Sequence, residues 1–180
     1  MSDNPHEPQL VPDRSCDGCT MCCKVLEIDA PKLKKPKQLW CTNCSIGTGC
    51  KIYEERPDPC RSFYCQYRKD PGLSEEWAPA KSKIIIDYEA ENERLAIHVD
   101  DGRKSAWRAE PFYSRIKTWA QSLSSQGQHV LVWEGSEAIV LLRNREIRLG
   151  KIGANRRLLI EKRATPTGPV VVDVRVAYDS

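Results

Sequence analysis

All nine cysteines of this 180-residue chain lie between residues 16 and 65, and none follows. They occur as Cys16-x-x-Cys19-x-x-Cys22-Cys23, then Cys41-x-x-Cys44, then Cys50, Cys60 and Cys65. Thiols in such short, paired spacings are typical ligands of a metal ion or an iron–sulfur cluster. The cysteines therefore predict a loop-rich module that metal binding holds together.

Disulfide bonds are the alternative use of these thiols, and they require an oxidising compartment. The first eight residues have no basic start and no apolar run, so we expect neither a secretory signal nor a transit peptide. No apolar stretch approaches membrane-spanning length, and a net charge of +3 singles out no class of partner. We therefore predict a cytoplasmic protein without a membrane partner, whose thiols stay reduced.

Changes in residue pattern divide the chain into three parts. Residues 1–15 contain three prolines among polar residues and are predicted to be a mobile leader. Residues 16–72 form the cysteine-rich, metal-chelating module, in which we interpret the basic loop 31–37 as a solvated connector. The turn signal Asp70-Pro71-Gly72 closes this module. Residues 78–180 are predicted to be an α+β domain of unknown role.

The predicted α+β domain rests on two periodicities. Apolar residues alternate at 84–88 and at 95–99 around a polar link, which predicts a β-hairpin. Phe112, Ile116, Trp119 and Leu123 recur at helical spacing and predict one amphipathic helix that ends near Gly127. Further strands are predicted at 129–133, 138–142, 145–151, 157–161 and 170–178. The fold class is therefore α+β, a cysteine module followed by a mostly antiparallel sheet with one clear amphipathic helix.

The first cysteine block predicts a local geometry. On a helix, Cys16, Cys19 and Cys23 share one stripe, and Cys22 is rotated away from it. Gly18 permits the tight backbone turn that a Cys-x-x-Cys knuckle requires. Four cations alternate with the cysteines and are expected to donate hydrogen bonds to sulfur, namely Lys24, Lys51, Arg56 and Arg61.

The module resembles a bacterial cysteine-cluster family described as a zinc- or iron-chelating domain. The similar motifs are Cys16-x-x-Cys19-x-x-Cys22-Cys23 and Gly49-Cys50-x-Ile52-Tyr53-x-x-Arg56-Pro57-x-x-Cys60-Arg61-x-Phe63, within residues 16–65. The resemblance implies metal binding through Cys16, Cys19, Cys22, Cys23, Cys50 and Cys60. Cys41, Cys44 and Cys65 are added as ligands by spacing alone. Thr20 stands where that family commonly has glycine.

The residues leave the metal open between zinc and iron. Cys-x-x-Cys pairs separated by a loop favour zinc, whereas Cys-x-x-Cys-x-x-Cys also begins a bacterial four-iron run. Eight cysteines fill two four-thiolate sites and leave one to spare. A structural zinc site has no open coordination position, and the sequence assigns no catalytic residue and no reaction.

Three hypotheses for function follow. The first is a metal-binding protein, with zinc or iron, whose module organises a surface for an unknown protein partner. The second is an iron–sulfur protein in electron transfer, redox sensing or protein modification. The third, a zinc-knuckle nucleic-acid binder, rests on eight basic against two acidic residues in 143–163, where we favour a solvated sheet face. His6, His98 and His129 are expected to have ordinary surface roles.

Overall fold

The computed structural model describes residues 8–153 and 156–178, and its cysteine module consists of very short elements. In chain order these are α1 (Met21–Val25), β1 (Ile28–Ala30), β2 (Leu33–Lys35), β3 (Cys44–Ser45), β4 (Gly49–Cys50), α2 (Asp58–Arg61) and α3 (Gln66–Lys69). β1 pairs with β2 and β3 with β4, as two separate antiparallel ribbons. Elements of two to five residues are not stable alone, so the module depends on contacts between them.

The α+β domain contains the long elements of the chain. These are α4 (Pro79–Ser82), β5 (Ile84–Glu89), β6 (Arg94–Val99), α5 (Phe112–Ser124), β7 (His129–Glu134), β8 (Glu137–Leu141), β9 (Glu146–Lys151), β10 (Arg156–Thr165) and β11 (Gly168–Tyr178). Single-turn 3-10 helices lie at Glu75–Trp77, Ala90–Asn92, Asp101–Arg103 and Ala106–Arg108. This architecture confirms the predicted α+β class, with mostly antiparallel strands and one long helix.

Strands β5 to β9 form one sheet in sequential order, and β10 and β11 form a separate hairpin. Within the sheet β6 and β7 are parallel, and the other neighbouring strands are antiparallel. A parallel pair requires a crossover connection, and the chain between β6 and β7 supplies it with α5. The predicted hairpin of residues 84–99 is confirmed by the pairing of β5 with β6.

Helix α5 covers one face of the sheet. Ile116 and Ala120 are fully buried against the sheet residues Ile97 and Val132, which confirms the predicted apolar stripe. Trp119 of the same stripe lies half-buried, its ring centroid 5.2 Å from that of Trp77. α5 has 13 residues, and among the described residues no helix is long and apolar enough to cross a membrane.

The opposite face of the sheet is covered by two units. Val171 and Val174 of β11 pack there against Leu131 and Val140. The cysteine module covers the β5 edge, where Met21 and Val25 of α1 pack on Ile85. Both faces of the sheet are therefore buried, which explains why all three isoleucines at 84–86 are in the core.

Polar contacts join the module to the domain. The Lys24 ammonium lies 2.5 Å from a carboxylate oxygen of Asp100, and it also pairs with Asp101. The Gln38 side-chain amide donates to the Val99 carbonyl at 2.9 Å and accepts from the Asp101 amide at 3.0 Å. These bonds tie the segments on either side of β1 and β2 to the loop after β6.

Part of the predicted leader also contacts the module. The Val11 amide donates to the Arg68 carbonyl at 2.8 Å. The Arg14 guanidinium donates to the carbonyls of Tyr67, Asp70 and Leu73. Residues 1–7 of that leader lie outside the described residues.

Two of the three histidines are buried, so the expectation of surface positions is wrong for them. His98 lies on β6 and His129 begins β7, and burial lowers their pKa values to about 3 and about 4, helped by the nearby Arg94. Nδ1 of His98 and Nε2 of His129 are buried without a hydrogen-bond partner among the described residues. Both imidazoles are therefore neutral in the folded protein at pH 7. His6 lies outside the described residues.

We expect the free energy of unfolding to decrease as the pH falls from about 6.5 towards 4, because the unfolded chain then binds protons that buried His129 excludes. Above pH 6.5 this contribution is fully present. Between pH 7 and 4.5 the wild type should lose about 2 kcal/mol more than His129→Gln. Urea unfolding at both pH values measures this difference, and an equal loss in the two proteins would contradict it.

Candidate metal centre

Each Cys-x-x-Cys pair lies on a backbone turn that a hydrogen bond between its two cysteines closes. The Cys19 amide donates to the Cys16 carbonyl at 3.0 Å, and the Cys44 amide donates to the Cys41 carbonyl at 3.0 Å. Gly18 has a φ of +72°, a left-handed conformation that glycine adopts without strain. The predicted knuckle at the first pair is therefore present.

Helix α1 separates two adjacent cysteines instead of aligning three. It begins at Met21, so Cys16 and Cys19 lie on the turn before it, and the predicted stripe with Cys23 does not form. Cys22 packs with Cys19 beside Met21 and Val25, whereas Cys23 packs towards β1. The Cys41 amide donates to the Cys23 carbonyl at 2.9 Å and fixes the second knuckle to α1.

The nine thiols, all free, fall into two adjacent groups that meet at the Cys22–Cys23 peptide bond. The first thiol group consists of Cys16, Cys19, Cys22 and Cys65. The second thiol group consists of Cys23, Cys41, Cys44, Cys50 and Cys60. All nine residues predicted as ligands are therefore brought to one region of the fold.

A cavity of about 390 Å³ lies between the two thiol groups. Eight of the nine cysteines line it, and Cys44 does not. The remaining wall includes apolar side chains such as Leu26, Ile28 and Phe63, and polar ones such as Thr48. The cavity is therefore a sulfur-rich space lined mainly by the turns and short elements of the module.

Within residues 8–153 and 156–178, no three histidine, cysteine, aspartate or glutamate side chains are already arranged to hold a metal ion. The donor set nonetheless fits zinc or iron in its chemistry, since thiolates are the ligands that both metals accept in four-sulfur sites. This candidate centre is therefore defined by cysteines that lie in one region, and not by side chains that already have the geometry of a coordination site.

The environment favours the protonated form of most of these thiols. Burial raises the pKa of Cys19, Cys60 and Cys65, and it raises the pKa of Cys44 to about 11. A hydrogen bond with Cys22, followed by burial, raises the pKa of Cys23. Metal binding requires thiolates, so a metal must displace these protons when it binds.

Three of the four predicted donors to sulfur have other hydrogen-bond or stacking partners, although the charge of Arg56 also lowers the pKa of Cys60 against the larger effect of burial. Lys24 pairs with Asp100 and Asp101, as described above. Arg56 stacks 3.6 Å above the Tyr53 ring, and Arg61 donates to the Arg56 carbonyl at 2.9 Å. Lys51 is exposed.

Two further cations, which sequence reasoning missed, also lie next to the thiols. Arg68 donates to the sulfur of Cys16 at 3.2 Å. Lys35 is only 5% exposed, and Cys41 and Cys23 are the thiols that, when ionised, raise the pKa of its ammonium most. Its place on β2, two residues after Leu33, was the available signal, because alternate residues of a strand share a face. The prediction that loop 31–37 is a solvated connector is therefore wrong at Lys35.

Backbone carbonyls hold the Lys35 ammonium in place. It donates to the carbonyls of Lys24, Pro36 and Leu39 at 2.8–2.9 Å. Burial lowers its pKa, which the nearby thiol groups oppose when they are ionised. A positive charge at this point stabilises thiolates in the second thiol group.

The basic stretch 143–163 is partly neutralised. Arg145 lies 2.9 Å from a carboxylate oxygen of Asp173, and Lys162 pairs with Glu93. Side chains engaged in this way contribute less to a phosphate-binding surface. Arg156 and Arg157 of this stretch begin β10.

Comparisons of the chain with protein-family models, with curated proteins and with solved structures gave no match. The resemblance to the zinc- or iron-chelating family therefore stays a prediction.

We expect Lys35→Met to lower the free energy of unfolding by about 2 kcal/mol, because three carbonyls lose a charged donor. Lys34→Met is the matched control, since Lys34 is 74% exposed and forms only a surface ion pair with Asp29. Denaturant unfolding of both variants at equal metal content per chain, checked by elemental analysis, separates this effect from metal affinity. Equal stability of the two variants would contradict the structural role of Lys35.

Proposed function

We propose that this chain is a metal-binding protein that chelates zinc or iron through its cysteine cluster. The observation that supports this proposal most directly is the convergence of eight cysteines on one cavity. These cysteines come from separate segments of residues 16–65, and eight thiols lining one space are not expected of inert buried cysteines. The bound metal would supply cross-links between those segments.

A structural role fits the weakness of the module without metal. Its helices and strands have at most five residues, and its two apolar clusters have only three buried residues each, of which Ile85 comes from the domain. Small units of this kind normally require disulfides or a metal for stability. The thiolates on the knuckles and on α1, β4 and α2 would therefore replace a large core.

The module also presents an apolar surface that fits an interaction role. Leu39, Ile46 and Tyr53 are 59%, 64% and 53% exposed, and Trp40, which follows Leu39 in the chain, is 37% exposed. Four of the six large exposed apolar side chains among the described residues thus lie in the module. Since Trp and Tyr are enriched among the anchor residues of protein interfaces, we propose a protein partner that contacts the exposed side chains of Trp40 and Tyr53.

An iron–sulfur protein in electron transfer, redox sensing or protein modification is the second candidate. The cavity of about 390 Å³ is much larger than the roughly 30 Å³ that one water molecule occupies in the liquid, so it has room for a multi-atom group. The hydrogen bond from Arg68 to Cys16 also favours this alternative, because bonds to sulfur tune the reduction potential of such clusters.

The test of metal binding is a visible absorption spectrum with elemental analysis on protein purified without oxygen. Colourless protein with zinc would support a structural metal, and brown protein with iron and acid-labile sulfide would support the iron–sulfur alternative. We expect Cys19→Ser and Cys50→Ser to lower the metal content per chain, since each removes one thiolate. Thr48→Ala is the matched control, because Thr48 lines the same cavity without a thiol.

Full metal content in both cysteine variants would contradict the ligand assignment. Protein that holds neither zinc nor iron and has nine titratable thiols would contradict the proposed function itself.

Removal of the metal with a chelator should loosen the module and leave the sheet intact. We expect backbone amides of residues 19–50 to lose protection from hydrogen exchange, while those of β7 and β8 keep it. The physical reason is that the module relies on the metal, whereas β7 and β8 lie between two apolar layers. Mass spectrometry of peptides before and after chelation measures both segments, and unchanged exchange in residues 19–50 would contradict a structural metal.

A further inference from the structure

Two buried polar atoms lie on neighbouring strands of the sheet face that the cysteine module and the β10–β11 hairpin cover. His98 of β6 and Trp133 of β7 are direct partners in the parallel register of these strands, which are about 4.8 Å apart. His98 is 6% and Trp133 is 9% exposed. Nδ1 of His98 and Nε1 of Trp133 have no hydrogen-bond partner in the part of the chain that the structure describes. Both nitrogen atoms therefore carry the cost of burial without a hydrogen bond to offset it.

A lysine of the cysteine module lies over this pair. The Lys37 ammonium is 3.8 Å from the centroid of the Trp133 ring. The next residue, Gln38, is fixed to the sheet by its bond to the Val99 carbonyl, so Lys37 is held at the junction of module and sheet. Apart from the indole ring, its half-buried ammonium has no partner within residues 8–153 and 156–178.

The nearest carboxylates do not bind this ammonium. The charges of Glu27 and Glu89 raise the pKa of Lys37, but the larger effect of its burial lowers that pKa. Glu27 is exposed, and Glu89 forms an ion pair with Arg94 at 2.5 Å. Among the described residues, the positive charge of Lys37 is therefore left without a counter-charge at bonding distance.

The three unpartnered groups are all able to donate. An ammonium and an indole N–H are donors only, and a neutral imidazole donates from Nδ1 when its proton is on that atom. Buried polar groups that lack a protein partner call for a bound water or ion. A water molecule would leave the charge of Lys37 uncompensated, whereas an oxyanion supplies negative charge and several acceptor oxygens at once.

We propose that Lys37, His98 and Trp133 bind a small inorganic oxyanion of the sulfate or phosphate type. Lys37 belongs to the module and the other two residues belong to the α+β domain, so the bound anion joins the two units. The two ring nitrogens are buried, so the ligand is a free ion and not a phosphate group of a larger molecule. None of the three residues lines the thiol cavity, and the proposal does not rest on metal binding.

Sulfate titration of the whole isotope-labelled chain tests this site, with the indole N–H signal of Trp133 in nitrogen-15 correlation spectra as the readout. Trp133→Phe assigns that signal, because phenylalanine keeps an apolar ring and lacks the N–H. Gluconate, an anion too bulky for a buried site, keeps the ionic strength constant. We expect the Trp133 signal to shift with sulfate and to saturate.

Lys37→Met and Lys32→Met are a matched pair, because both lysines lie in the basic loop 31–37 and Lys32 is exposed. Methionine keeps an apolar stem over the Trp133 ring and removes the charge. We expect Lys37→Met to raise the dissociation constant of sulfate about tenfold, since a charged hydrogen bond is lost. Lys32→Met should bind sulfate as the wild type does.

Three results would overturn the proposal. A Trp133 signal that does not respond to sulfate would show that water alone satisfies the buried nitrogens. An equal shift in gluconate without sulfate would show a general effect of salt. An unchanged dissociation constant in a folded Lys37→Met variant would show an adventitious ion only, bound elsewhere on the surface.

Discussion

Packing of Ile85 against Met21 and Val25 is the contact on which the cysteine module depends. This contact seats α1 on the sheet, and α1 is the helix that carries both Cys22 and Cys23. The salt bridge from Lys24 to Asp100 fixes the same helix from its other side. A rigid sheet with both faces buried thus supplies a foundation for a module that has little apolar core of its own.

The module and the domain therefore contribute different things. The domain provides two apolar layers, one on each face of its sheet. Its buried histidines lower the free energy of unfolding only at acidic pH. The module provides thiols, cations and exposed apolar side chains within fifty residues of chain. The proposed metal would stabilise the segment that carries exposed Leu39 and Ile46, which would link the proposed chelation to the proposed interaction.

The sequence predicted the domain well, because its strands and α5 are long enough for a periodic pattern. The alternation around Ile84 and the helical stripe through Ile116 both correspond to buried faces. Prediction was poorer for the short elements. The prediction that Cys16, Cys19 and Cys23 share one stripe required a helix from Cys16 onwards, whereas α1 begins only at Met21.

Burial of charged and polar groups was also missed, because it results from packing between distant segments. The Lys35 ammonium is bound by carbonyls of Lys24 and Leu39, which precede and follow it in the chain. The basic composition of the loop does not predict that this side chain is buried. His98 is buried because the cysteine module and the β10–β11 hairpin cover the second face of the sheet. A single strand pattern predicts one buried face, and tertiary structure decides whether the other is covered.

X-ray absorption at the metal edge of the protein, purified without oxygen, tests the central claim most directly. It reports the ligand atoms around the bound metal without any substitution. Our account predicts a first shell of sulfur alone, about four per metal, at about 2.3 Å for zinc. A shell of nitrogen or oxygen, or protein without metal, would contradict chelation by the cysteine cluster.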